Sequence, residues 1–246
     1  MTVLVLGGTA EARALAEHLH REAINFVSSL AGRVAQPRLP VGMVRIGGFG
    51  GVDGLVSFLV EQEVSAVIDA THPFAEGMSA NAVAACRAVG VPLLRLERPG
   101  WAGAPGADRW RWVDHHLAAA ALVAGLSTRP FLTVGRQQLG VFTGHLSAHA
   151  VLARVVDAPE IALPDAWTLL TSRGPYDLVS ERKLMTGHPI DALVTKDSGG
   201  SYTWPKMQVA MEMGIPVVVV RRRRPVADVE TVSDPAGAAD WVKARS

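Results

Sequence analysis

The stretch LVLGGTAEAR, residues 4–13, sets the strongest limit on what this chain can fold into. Val3, Leu4, Val5 and Leu6 form a short apolar run of the kind that fills a buried strand, and Gly7-Gly8 then breaks it. Thr9 and Glu11 open an alanine-rich run with leucines at helical spacing, which predicts a helix over residues 10–20. Strand, glycine turn and helix in succession bring backbone N–H groups and a helix N-terminus to one point, which suits a pyrophosphate. The last glycine of the full dinucleotide fingerprint is missing, and Ala12 stands in its place. A tight strand–helix connection without a ligand uses the same residues, so the rest of the chain has to decide.

Strands and helices alternate beyond this point. Residues 24–28 read as a second strand ending in Ser28-Ser29, and residues 44–46 as a third, closed by Gly47-Gly48-Phe49-Gly50-Gly51. A helix over residues 52–62 follows, then a fourth strand over 66–70 that ends in Thr71-His72-Pro73. Residues 79–89 read as a helix stopped by Gly90, and residues 91–96 as the fifth strand. This alternation predicts an α/β fold with a parallel sheet and helices on both faces. In such sheets ligands sit beyond the carboxyl ends of the strands, where these glycines and polar residues lie.

The second half repeats the first. AACRAVGVPLLRLERP, from Ala84, reads like VAMEMGIPVVVVRRRRP, from Val209, and SAVIDATHP, from Ser65, like DALVTKDSG, from Asp191. LVLGGTAEA finds its counterpart in LTVGRQQLG, and the tails at Trp112-Val113-Asp114 and Val232-Ser233-Asp234 also correspond. The near-constant offset predicts two similar Rossmann-like domains, residues 1–99 and 131–246, joined by a connecting segment over 100–130. Two such domains imply an interdomain cleft, the usual place for a substrate.

Composition closes off several function classes. The formal net charge of +1 gives no bulk electrostatic case for nucleic acid or a membrane surface. The apolar runs are of strand length, as in residues 217–220, and the N-terminus enters a strand with no basic leader, so a cytoplasmic chain without membrane spans is expected. The single Cys86, in an alanine-rich helix, reads as a buried inert thiol, and no His/Cys cluster suggests a metal. A monomer is expected.

Differences between the halves assign roles. Gly7-Gly8-Thr9 in the first becomes Val134-Gly135-Arg136 in the second, where an arginine would crowd a pyrophosphate, so the nucleotide belongs to the first half. An NAD site usually carries an acid at the end of the second strand for the ribose 2′-OH. Here Ser28, Ser29 and Arg33 stand there instead, which suits a 2′-phosphate and favours NADPH; the plainer reading of Arg33 is a solvated loop charge. Thr71 and Pro73 would shape the nicotinamide pocket, while His72 reads equally as a turn residue or a site residue. In the second half, Lys196-Asp197-Ser198-Gly199-Gly200 at a strand end makes a ready anion site, and Arg173 in Thr171-Ser172-Arg173-Gly174-Pro175 could add a second cation. Arg221 to Arg224 read as a solvated strand end, and Trp101, Trp110 and Trp112 as packing.

GGTAEAR at Gly7, SLAGR at Ser29, GGFGG at Gly47, DATHPFA at Asp69, RLERP at Arg95, SRGPY at Ser172 and LVTKDSGG at Leu193, with Lys206 beyond, together resemble the precorrin-6A reductase (cobalt-precorrin-6A reductase) family. The resemblance covers nearly the whole chain. It implies two Rossmann-like domains with NADPH on the first. It also implies reduction of one double bond of a tetrapyrrole macrocycle, precorrin-6A to precorrin-6B, on the route to cobalamin. Gly7, Gly8, Thr9, Glu11, Ser28, Ser29, Arg33, Gly47, Gly48, Phe49, Thr71, His72 and Pro73 are then the cofactor candidates. The carboxylates of precorrin-6A call for cations, so Arg136, Arg173 and Lys196 with Ser198, Gly199 and Gly200 are the substrate candidates. For the proton donor His72, Lys196, Asp197 and water all stay open. One departure is Tyr176, where the family leads one to expect phenylalanine. A rival reading is a non-catalytic NADPH-binding redox sensor.

Overall fold

The computed structural model describes residues 1–32, 34–223 and 229–245. Its first elements are β1 (Thr2–Leu6), α1 (Ala10–Arg21), β2 (Phe26–Leu30), β3 (Met43–Ile46), α2 (Val52–Glu61), β4 (Val64–Asp69), α3 (Glu76–Val89) and β5 (Leu93–Leu96). There follow β6 (Arg111–Val113), α4 (His116–Ala124), β7 (Pro130–Thr133), α5 (Gly140–Thr143), β8 (Leu152–Val155) and β9 (Thr168–Thr171). The last are α6 (Leu178–Gly187), β10 (Ala192–Lys196), α7 (Trp204–Glu212), β11 (Val217–Val220), β12 (Glu230–Val232) and α8 (Pro235–Lys243).

The strands form two six-stranded parallel sheets, ordered β12-β5-β4-β1-β2-β3 and β6-β11-β10-β7-β8-β9. The two orders are the same pattern written twice, with one exchange. β6 follows the first five strands in the chain but pairs with β11, and β12 follows β11 but pairs with β5. The expected boundaries are corrected by this pairing. Residues 100–130 are not a connection, because they carry β6 and α4 of the second sheet. Residues 131–246 are not one domain, because the compact units are 1–99 with 223–246, and 100–222.

Parallel strands are covered on both faces, so β1 is apolar at every position. Val3 and Val5 pack with Leu15 and Leu19 of α1 and Trp241 of α8. Leu4 and Leu6 point the other way, onto Leu55 and Leu59 of α2 and Ala82 of α3. Cys86 is buried in this second layer, and burial pushes its thiol up to about 12, an inert group. In the second unit Trp101 and Trp110 lie in the core with Phe131, Leu193 and Met207, and Trp204 packs against both indoles. Among the described residues no helix is long and apolar enough to cross a membrane.

Candidate functional site

In the first unit the glycine turn leads into α1. The Thr9 hydroxyl accepts from the Ala12 N–H at 3.1 Å and donates to the Ala70 carbonyl at 2.8 Å. One buried side chain thus caps α1 and ties its N-terminus to the end of β4. Gly8 has φ of 108°, a conformation L side chains rarely adopt, and no atom lies within 4 Å of where a Cβ would stand. The entry to the helix N-terminus is therefore open on that side. Gly7 is closed in, with Ala12 Cβ and Leu30 Cδ2 each 3.4 Å from the Cβ position. Glu11 sits in the first turn of α1 and pairs with Arg98 at 2.6 Å, which neutralises a carboxylate where an anion would bind.

At the ends of β4 and β5 lies a buried ion network that sequence reasoning overlooked. Arg95 pairs with Asp69 at 2.8 Å and with Glu97 at 2.8 Å, and it donates to the Thr71 hydroxyl at 3.1 Å. Asp69 in turn accepts from the Thr71 N–H at 3.1 Å and from its hydroxyl at 2.7 Å. Thr71 is thereby fixed from both sides, and the bend into His72 and Pro73 is rigid. His72 Nδ1 accepts from the Phe74 N–H at 3.2 Å, the geometry of a turn residue. The legible signal was a lone arginine inside the strand LLRL: a charge there needs a buried partner.

The serines are not where they were expected. β2 extends to Leu30, which pairs with Ile46, so Ser28 and Ser29 lie within the strand. Ser28 is in register with Val5 and faces the same layer under α1; its buried hydroxyl has no hydrogen-bond partner among the described residues. Ser29 is 6% exposed. Arg33 lies outside the described residues. Beyond β3, the Gly47-Gly48-Phe49 loop is organised by Arg45, a residue the sequence reading passed over. Its Nη1 donates to the Gly47 carbonyl at 2.6 Å and its Nη2 to the Gly48 carbonyl at 2.8 Å. The guanidinium lies 4.0 Å from the centroid of the Phe49 ring.

The second unit builds a different mouth from the same strand pattern. After β7, Gly135 (φ 83°, ψ 153°) leads into a 3₁₀ turn, Arg136–Gln138, and then the four-residue α5. The long helix that follows β1 has no equivalent here. Lys196 Nζ occupies the turn instead, 3.5 Å from where a Gly135 Cβ would stand. Burial lowers the Lys196 ammonium to about 8. His116, at the start of α4, is lowered to about 4 by burial first and then by Lys196 and His115, so it is neutral. Arg136 and Arg173 are both half-buried, beyond the ends of β7 and β9.

Asp197, a candidate proton donor, is 5% exposed and committed elsewhere. Its carboxylate accepts from the Trp101 N–H at 2.8 Å and lies 3.6 Å from Arg222 Nε, which also donates to its carbonyl at 2.8 Å. Arg222 is thus half-buried and held by Asp197, not a solvated strand end, and Arg223 pairs with Glu76 in the first unit at 3.1 Å. Arg224 lies outside the described residues. The Ser198 hydroxyl meets the Thr203 hydroxyl at 3.0 Å, closing a loop in which Gly199 and Gly200 both have positive φ. Lys206, on α7, is 3% exposed; it donates to the Thr203 carbonyl at 3.0 Å and stands 5.1 Å from the Trp101 ring centroid.

Residues 2–243 match the family model described as precorrin-6x reductase CbiJ/CobK. The chain belongs to the precorrin-6x reductase family. It is 48% identical over 241 residues to the precorrin-6A reductase of Rhodococcus erythropolis, covering 98% of this chain and 96% of that one. It is 47% identical over 241 residues to the precorrin-6A reductase of Mycobacterium tuberculosis, again covering 98% and 96%. A solved structure titled CobK precorrin-6A reductase superposes with a TM-score of 0.93 at 39% identity, covering 100% of this chain and 97% of that one.

Tyr176 departs from the phenylalanine that the family resemblance led one to expect, and its surroundings give the hydroxyl a use. The hydroxyl donates to the Ser172 carbonyl at 2.9 Å, and the ring centroid lies 3.8 Å from the guanidinium carbon of Arg154. Arg154 is itself held by both carboxylate oxygens of the buried Glu181. Tyr176→Phe keeps the ring under the arginine and loses one hydrogen bond. Urea denaturation should show a loss of about 0.5–1.5 kcal/mol. A loss several times larger would mean that the hydroxyl supports the Ser172–Pro175 bend as a whole.

Proposed function

We propose that this chain is an NADPH-dependent reductase that converts precorrin-6A to precorrin-6B in cobalamin biosynthesis. The observation that carries this reading is the membership of the precorrin-6x reductase family over residues 2–243. The first unit supports a nucleotide: α1 is 12 residues long, and its N-terminus is reached past the open Gly8. Gly7, Gly8 and Thr9 would hold the pyrophosphate, and the loop at Gly47-Gly48-Phe49 with Arg33 the adenosine end. Thr71, His72 and Pro73 would line the nicotinamide side. When bound, the nucleotide supplies the hydride.

The chain's other task is to hold a polyanionic macrocycle and deliver one proton. Arg136, Arg173 and Lys196, with the Ser198-Gly199-Gly200 loop, are the groups we assign to the carboxylates. Lys196 fits the proton donor best. At about 8 it is mostly protonated at neutral pH yet acidic enough to release a proton. Asp197 is taken by Trp101 and Arg222, and His72 serves its own turn.

The decisive experiment mixes the protein with NADPH and precorrin-6A and follows the absorbance of both. Loss of NADPH in step with conversion of the macrocycle is expected. Binding of NADPH with no turnover would instead favour a redox sensor.

A further inference from the structure

Arg45 stands at the far end of β3, in register with Ser29 of β2. In doubly wound sheets the ribose nearest the adenine lies at the end of the second strand, where an acid selects NAD. Here that end is Leu30-Ala31-Gly32, with no acid, and the neighbouring strand presents a guanidinium. The guanidinium is held in place before any ligand arrives, by the Gly47 and Gly48 carbonyls and the face of Phe49. Two of its five N–H groups are used in this way, which leaves part of the fork to donate elsewhere.

Its charge is also unmatched. Arg95, Arg98 and Arg154 each face a carboxylate, whereas no carboxylate pairs with Arg45 among the described residues. A fixed, half-buried guanidinium without a counter-charge suits an anion brought by a ligand. The loop leaves room for one. No atom lies within 4 Å of where a Gly48 Cβ would stand, and the Gly48 backbone is not in the left-handed region, so neither packing nor conformation within the chain asks for glycine there. Space beside a peptide is what a closely approaching ligand uses.

We propose that Arg45 recognises the 2′-phosphate of the nicotinamide nucleotide, and so selects NADPH over NADH. This rests on the cofactor reading above. The fork grips the phosphate oxygens while Phe49 supports its other face.

Titrations of wild type and Arg45→Gln with NADPH and with NADH test it. The variant should weaken NADPH by roughly tenfold to a hundredfold, the size of a lost charge-assisted contact, and change NADH little. Retained NADH binding also reports that the first unit is folded. Arg45→Lys should recover only part of the loss, because a point charge lacks the fork. Equal weakening of both nucleotides would overturn the proposal and make Arg45 a brace for the loop. Unchanged NADPH affinity would overturn it too, and a selective loss in Arg33→Ala would then place the phosphate there. If wild type binds neither nucleotide, the cofactor reading itself fails, an outcome distinct from the other two.

Discussion

Replacing Lys196 with alanine is expected to lower the rate of precorrin-6A reduction by roughly tenfold to a hundredfold while NADPH affinity stays near the wild-type value. The ammonium fills the Gly135 turn, whereas in the first unit no atom lies within 4 Å of where a Gly8 Cβ would stand. If Lys196 donates the proton, kcat falls and KM holds; if it only grips a carboxylate, KM rises. The pH profile separates the roles further. The donor must be protonated, so wild-type kcat should decline as pH rises through about 8, and the alanine variant should lose that limb. Stability moves the opposite way in the same window. A lysine lowered by burial makes the folded state bind fewer protons than the unfolded chain above about pH 8, so unfolding becomes harder as pH rises toward the ordinary lysine value of 10.5. Wild-type kcat, KM and pH profile in Lys196→Ala would remove the residue from the site.

Lys206→Met should make the protein more stable near neutral pH, against the usual direction of core substitutions. Lys206 is lowered from 10.5 to about 7, by burial first, then by the positive charge of Arg154; Glu181 pulls the other way and Lys196 adds a further push. Below about pH 7 the folded state must carry this buried charge. Between about 7 and 10.5 the unfolded chain holds a proton that the folded chain has released, so stability climbs with pH. A shift of this size corresponds to roughly 5 kcal/mol, and losing the bond to the Thr203 carbonyl and the contact with Trp101 takes back about 1–2. Methionine keeps the length and apolar bulk of the stem. Urea midpoints at pH 6.5 and pH 9 should therefore differ less in the variant than in wild type, with a gain of about 3–4 kcal/mol at the lower pH. A destabilised variant whose pH dependence matches wild type would mean that the ammonium is solvated in the native protein.

Much of the fold was legible because parallel strands buried on both faces leave plain apolar runs, as in residues 3–6 and 217–220. The partners of β6 and β12 were not. RWV and ETV are three-residue strands, alike in position within each half, and only long-range pairing decides which sheet each joins. Ser28-Ser29 read as a strand end because hydroxyls so often stand there, yet the ladder to β3 runs on through Leu30. The first turn of α1, the Thr71 bend and the Lys196 loop were placed by the strand–turn–helix order alone. Arg45 was passed over, and Arg95 and Lys206 were quoted within motifs without a role, for a shared reason. Each is a charge within a strand or helix, and a periodic pattern gives it a face but not a partner.

The exchange of β6 and β12 sets an order of assembly. Residues 100–222 are contiguous, and every strand of their sheet has been synthesised by Val220. The first unit starts first and finishes last, since β12 must pair with β5 and Trp241 and Val242 must cover the face of α1 that carries Leu15 and Leu19. The usual sequence of synthesis, in which the N-terminal domain folds before its neighbour, is inverted. Until the final helix emerges, the growing chain presents an open sheet edge at β5 and bare leucines on α1, the surfaces a chaperone would hold.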